Sequence, residues 1–183
     1  MFDIFVSIIL GLILILPFLF LILIIKIENE GSVFYISKRL GKNRKVFNMY
    51  KFRTMQINTP EIHSNDLKNA NSYITKVGKI LRKYSLDELP QIINILKGEM
   101  TLVGPRPALE NQDKLILLRE KKNIFSLVPG ITGLAQINGR DNLTDEKKIE
   151  YETIYMQKKS FLLDLTILLK TISVVVKSKG IKH

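Results

Sequence analysis

The chain of 183 residues has no cysteine, which excludes disulfides, thiolate zinc sites, iron–sulfur clusters and a cysteine nucleophile. It has no tryptophan and only two histidines. His63 sits in a polar stretch and His183 is the last residue, so neither a histidine metal centre nor a histidine-based triad is expected. Negative charge is also scarce: 17 acidic residues stand against 28 basic ones, a formal net charge of +11. That surplus selects anionic partners, namely lipid headgroups, nucleotide phosphates or nucleic acid, without choosing among them. Lack of tryptophan and of any recognisable nucleic-acid motif argues against the last. Any metal must be held by oxygen, and Mg²⁺ is the natural candidate beside phosphates. At 46% hydrophobic the chain can build the core of about one domain.

Residues 4–25 carry no ionisable side chain, and as a helix they would reach about 33 Å at ~1.5 Å per residue, enough to cross a bilayer. A cleavable signal peptide is a poor reading, because a basic leading region and a small-residue cleavage site are both missing. Pro17 lies in the middle of the segment, where its ring clashes with the carbonyl of Ile13, so a kink is expected there. Two topologies stay open, a bent single span and a re-entrant helix that dips into one leaflet and returns. Beyond it, Lys38, Arg39, Lys42, Arg44, Lys45, Lys51 and Arg53 crowd a short region, which places the following domain on the cytoplasmic side by the positive-inside tendency. For most of these cations, attraction to the membrane surface is a sufficient role.

The spacing predicts a short β-hairpin from residues 33–37 and 46–52 around Gly41-Lys42-Asn43, a polar loop over 56–75, and helices over 76–83, 85–97 and 110–125. After Val128 the glycine-rich stretch reads as turns and short strands. Residues 160–178 form an amphipathic helix suited either to the membrane interface or to the core. The fold expected is α+β, mostly helical, with residues 1–27 as membrane anchor and 28–183 as one cytoplasmic catalytic domain.

Chemistry concentrates at Ser85-Leu86-Asp87-Glu88-Leu89-Pro90-Gln91. Ser85 and Glu88 match a capping box; with Asp87 as cap instead, Pro90 falls in the first turn. Either register puts both carboxylates at the positive end of a helix near Arg82 and Lys83, which favours an ionised Asp87 able to attack phosphorus or to bind a hard cation. Plain capping is the bland alternative. Gly104-Pro105-Arg106-Pro107 stiffens the backbone on both sides of one guanidinium, a geometry suited to phosphate.

These motifs, with Tyr50-Lys51-Phe52-Arg53-Thr54-Met55 before them and Pro129-Gly130-Ile131-Thr132-Gly133-Leu134-Ala135-Gln136-Ile137-Asn138-Gly139-Arg140 and residues 160–164 after them, resemble the bacterial sugar transferases, the small monotopic phosphoglycosyl transferases. The resemblance covers nearly the whole chain. It implies transfer of a phosphosugar from a UDP-sugar to polyprenol phosphate at the inner membrane, with Mg²⁺ and release of UMP, through a covalent enzyme intermediate. It further implies Asp87 as nucleophile, Glu88 as its partner near the metal, and Lys51, Arg82, Arg106 and Arg140 near phosphates or nucleotide. Asp141 and Asp164 read as structural. Membrane lipids are implied partners, nucleic acid is not, and homo-oligomerisation is left open. Family members break a re-entrant helix at Ser-Pro, where this chain has Leu16-Pro17. The competing functions are a nucleotide-sugar hydrolase, separable by its indifference to a lipid acceptor, and a basic membrane-tethered binding module, separable by its lack of turnover.

Overall fold

The computed structural model describes residues 2–57, 59, 70–139 and 142–176. Two helices open the chain, α1 (Phe2–Ile13) and α2 (Ile15–Glu28). The expected kink is a 58° bend, and its seat is Leu14, with φ −86° and ψ 1°. The proline ring cannot coexist with a helical carbonyl at Ile13, so the ladder stops there. It restarts with the Phe18 N–H donating to the Leu14 carbonyl at 2.8 Å. Pro17 thereby falls in the first turn of α2, where an absent N–H costs no intrahelical bond. Among the described residues no single helix is long and apolar enough to cross a membrane, but the bent pair together has that length and composition.

The hairpin forms as expected from β1 (Phe34–Leu40) and β2 (Val46–Phe52), antiparallel, with Tyr35 opposite Lys51, Ser37 opposite Met49 and Arg39 opposite Phe47. A period of two puts Phe47, Met49 and Lys51 on one face of β2 and Phe52 on the other. Phe52 stacks on Phe34 and meets Phe18 of α2 with ring centroids 4.8 Å apart. A single turn, α3 (Ala70–Tyr73), leads to α4 (Lys76–Lys83), the helix predicted over those residues. Thr75 caps it, its hydroxyl accepting from the Gly78 N–H at 2.9 Å.

The helix expected over 85–97 is broken. Ser85 adopts the left-handed conformation (φ 54°, ψ 23°) that ends α4, and Leu86–Gln91 then form a 3₁₀ helix before α5 (Ile92–Leu96). A residue turned to that region cannot also serve as an extended N-cap, and Asp87 lies inside the 3₁₀ helix, with Gln91 at the N-cap position of α5, so neither capping register is present. Strand β3 (Thr101–Val103) pairs in parallel with β4 (Gly130–Thr132), joined through α6 (Asp113–Lys121). Next come α7 (Leu134–Ile137), α8 (Asp145–Lys158) and α9 (Phe161–Val176). The reading of turns and short strands after Val128 holds at β4 but misses α8. Its signal was present: Thr144 accepts from the Lys147 N–H, and Asp145 and Glu146 occupy the first turn.

Among the described residues the result is a mostly helical α+β fold with two small sheets. One core gathers Phe47, Met49, Ile95, Met100, Leu102, Val103, Tyr155 and Ile167, with Val6 of α1 packed against it. A second gathers Ile25 of α2 with Phe52 and Leu81. In α9 the core reading holds on one face, and the opposite face is exposed. Ile167 is wholly buried, while Leu162, Leu165, Leu169, Ile172 and Val176 form an exposed stripe at helical spacing.

Candidate active site

Three elements bring the predicted residues together. Strand β2 carries Lys51 on its inner face, α4 carries Arg82 on its last turn, and the 3₁₀ helix carries Asp87 and Glu88. Asn94 of α5, wholly buried, locks the strand to this assembly: it accepts from the Tyr50 N–H at 3.1 Å and donates to the Asn48 carbonyl at 2.7 Å. Gly78 lets α4 approach, because a β-carbon there would collide with the Thr54 carbonyl. That approach allows Arg82 Nε to donate to Thr54 Oγ1 at 2.9 Å.

Glu88 is the hub. Its Oε1 accepts from Lys51 Nζ at 2.7 Å and from Arg106 Nη2 at 2.9 Å. Asp87 Oδ2 lies 3.9 Å from the same Lys51 Nζ. Arg82 and Arg106 also act on Asp87 by their charge. Arg39 joins the group: burial and then the Arg106 charge push its guanidinium down to about 10, and its Nη1 reaches the Pro107 carbonyl at 3.4 Å. The side chains of Arg39, Lys51, Arg82 and Arg106 thus surround two carboxylates, an excess of positive charge prepared for an anion.

Asp87 corrects one expectation. Burial pushes its carboxyl above the ordinary range; Lys51 opposes that shift, Glu88 adds to it, and Arg82 and Arg106 pull it back. The helix field invoked from the sequence is too small to reverse this, since the helix is one short 3₁₀ segment rather than a long α-helix. A desolvated carboxylate is the stronger nucleophile once ionised, because less solvent must be stripped from it during attack.

The loop bearing Arg106 is held on every side. The carbonyls of Pro105, Arg106, Pro107 and Ala108 accept, in order, from the Gly130 N–H, Arg119 Nη2, Arg39 Nη1 and the Leu40 N–H. Gly104 and Gly130 pack backbone to backbone, with no room for a side chain at either. That is why the glycines of the later motif sit beside the loop. Asp164 is not part of the cluster; it accepts from the Tyr155 hydroxyl at 2.8 Å and ties α9 to α8. Arg140 and Asp141 lie outside the described residues.

Sequence reasoning missed Arg39, Thr54 and the buried pair Arg119–Glu152. Arg39 falls past the strand expected over 33–37; the observed strand runs on to Leu40, and alternation from Tyr35, the partner of Lys51, then puts residues 35, 37 and 39 on the shared face. Arg119 and Glu152 had no such signal. They lie on two helices 33 positions apart in sequence, and one of those helices was not foreseen.

The family model described as bacterial sugar transferase matches residues 1–178. The sugar transferase EpsL of Bacillus subtilis is 44% identical, over 90% of this chain and 80% of its own length. The exopolysaccharide production protein ExoY of Sinorhizobium fredii is 38% identical over 98% and 85%. The undecaprenyl-phosphate galactose phosphotransferase of Salmonella typhimurium is 36% identical over 84% of this chain, which corresponds to 35% of that larger protein.

Proposed function

The chain belongs to the bacterial sugar transferase family, and from that premise we propose that it transfers a phosphosugar from a UDP-sugar to polyprenol phosphate, giving polyprenol diphosphate sugar and UMP. The observation that carries the reading is the half-buried Asp87 carboxylate set against Lys51, with Arg82 and Arg106 acting on it and the buried Glu88 holding Lys51 and Arg106 on a single oxygen. In the first step an Asp87 oxygen bonds to the sugar-bearing phosphorus, and the bond from that phosphorus to the bridging oxygen breaks. UMP leaves with the electron pair. In the second, an oxygen of the lipid phosphate bonds to the same phosphorus and the Asp87 carboxylate is released. Lys51, Arg82 and Arg106 offset the charge gathered between anions, and rigid placement makes them effective. Arg140, in the matched motif, is proposed to contact the donor as well.

Two hard carboxylates, Asp87 and Glu88, with no cluster of three ligating side chains among the described residues, fit a Mg²⁺ that arrives with substrate phosphates and not one caged by protein alone. Held there, Mg²⁺ would neutralise phosphate charge.

The membrane segment is proposed to be re-entrant. Asp3 at the start of α1 accepts from the Thr101 hydroxyl. Glu28 at the end of α2 accepts from the Val77 N–H at 3.1 Å. Both ends are thus fastened to one domain, whereas a straight span would separate them by about 30 Å of hydrocarbon. Between them the elbow is bare, with Leu16 76% exposed. With the basic hairpin on the same side, we place the domain on the cytoplasmic face of the inner membrane, with the α9 stripe at lipid depth.

The reaction is tested by screening UDP-hexoses and UDP-N-acetylhexosamines with undecaprenol phosphate and scoring UMP. UMP release that requires one donor and turns over only with the lipid is expected, together with sugar label trapped on the protein when the lipid is withheld. UMP formed continuously without lipid would indicate hydrolysis, and no UMP from any donor would leave a binding module.

A further inference from the structure

Away from the carboxylates, α6 and α8 bury a charged pair that the proposed reaction does not use. Arg119 and Glu152 are each 3% exposed. Arg119 Nε donates to Glu152 Oε2 at 2.9 Å and its Nη2 to Glu152 Oε1 at 2.5 Å, a two-pronged fork. The same Nη2 donates to the Arg106 carbonyl at 2.9 Å. Buried ion pairs are poor devices for stability, because desolvating both charges consumes most of what their attraction returns, and an apolar pair of similar volume does as well or better. Something else must account for charge at this place, and the third contact supplies it.

The Arg106 loop needs a donor at that carbonyl. Both flanking residues are prolines, the neighbouring carbonyls are already taken, and an orphaned carbonyl in the interior would be costly. A lysine would offer a point charge; only a guanidinium presents donors in a plane wide enough to grip a carboxylate and a carbonyl together. Glu152 neutralises the guanidinium and fixes its plane. The backbone of Arg106 is set from behind by Arg119, and its side chain in front meets Glu88.

We propose that Arg119 and Glu152 are positioning residues for the phosphoryl transfer: a buried clamp that sets where the Arg106 guanidinium stands relative to Asp87 and Glu88. This rests on the reaction proposed above. A clamp of this kind acts on the transition state, where a displacement of about 1 Å in a charged group costs on the order of 10² in rate.

The test separates clamp from scaffold. In Arg119→Met/Glu152→Leu the pair becomes apolar at similar volume, which is near neutral by itself; the Arg106 carbonyl loses its donor, so the thermal midpoint is expected to fall by about 2–10 °C with the protein still folded. Turnover is nonetheless expected to fall on the order of 10- to 100-fold, in kcat far more than in KM for the UDP-sugar. Arg119→Lys, which keeps an ion pair with Glu152 but loses the planar fork, should fold and show the same kcat loss. Adding Arg119→Met/Glu152→Leu to Arg106→Ala should cost nothing further, since the group being positioned is gone. Wild-type kcat in either folded variant overturns the proposal, and so does a further loss of full size in the Arg106→Ala background. If the double variant does not fold, Arg119→Lys decides alone. A wild-type protein that releases no UMP from any donor defeats the reaction itself; a wild type that turns over alongside equally active clamp variants defeats only the clamp.

Discussion

Asp87 is held in a state the fold does not prefer. Its carboxyl titrates above the ordinary carboxylate value because burial outweighs the attraction of Lys51. The folded protein therefore holds more protons at this site than the unfolded chain between about pH 4, where a free aspartate titrates, and the raised value. Over that window stability falls as pH rises, so ionisation of Asp87 costs folding free energy. Asp87→Asn should accordingly melt higher than wild type at pH 7, with the difference closing below about pH 4, as thermal scans in detergent across pH would show. The same variant should lose turnover by a factor on the order of 10⁴ or more and trap no sugar label. In wild type the acid limb of kcat/KM should lie above the usual aspartate value, because the reactive form is the ionised one. A variant that melts lower at pH 7, or a limb at or below the usual value, would mean that the surrounding cations dominate over burial. Aspartate beside glutamate was legible in the sequence as a place of chemistry. The direction of its titration was not, because the backbone turn at Ser85 and the depth of burial depend on what packs around it.

Elements reach the site only as closely as their smallest residues permit. Helix α4 lies against the exit of β2 because Gly78 has no β-carbon to meet the Thr54 carbonyl, and Arg82 depends on that approach for its bond to Thr54. Gly78→Ala should lower stability by roughly 1–3 kcal/mol, the usual scale of overpacking, read as a lower urea midpoint at unchanged slope. It should reduce turnover as well, by moving Arg82. Gly11 in α1 is the control: a β-carbon there meets nothing, and Gly11→Ala should be neutral or stabilising by up to about 1 kcal/mol. Equal losses at both positions would show that helix content, not close approach, is at stake. The helix over 76–83 and the hairpin were readable from local pattern, since a threonine cap and period-two alternation are encoded within a few residues. The division of 85–97 into a 3₁₀ helix and α5 was not, because a left-handed serine is a compromise imposed by the chain reversal after α4.

For the whole molecule the deciding geometry is the return of α2 to the domain that α1 leaves. In a chain without cysteine, Phe2→Cys should react with a membrane-impermeant thiol reagent only after cells are permeabilised. Adding Pro17→Leu restores a continuous apolar helix and should raise labelling of intact cells. Labelling of intact cells with Pro17 in place would establish a full span. The sequence by itself determined the length and bend of the apolar N-terminal segment, the basic excess, the hairpin, and the motifs that identify the family, because each is written in contiguous residues whose chemistry does not depend on distant partners. Only the tertiary structure decided that Glu88 gathers Lys51 and Arg106 on one oxygen, that Arg39 belongs to the same cluster, and that Arg119 and Glu152 stand behind the Arg106 loop. The reason is physical: charges separated by tens of residues acquire their roles from burial and from distances of 3 to 4 Å, and those exist only once the helices and the hairpin have closed around them.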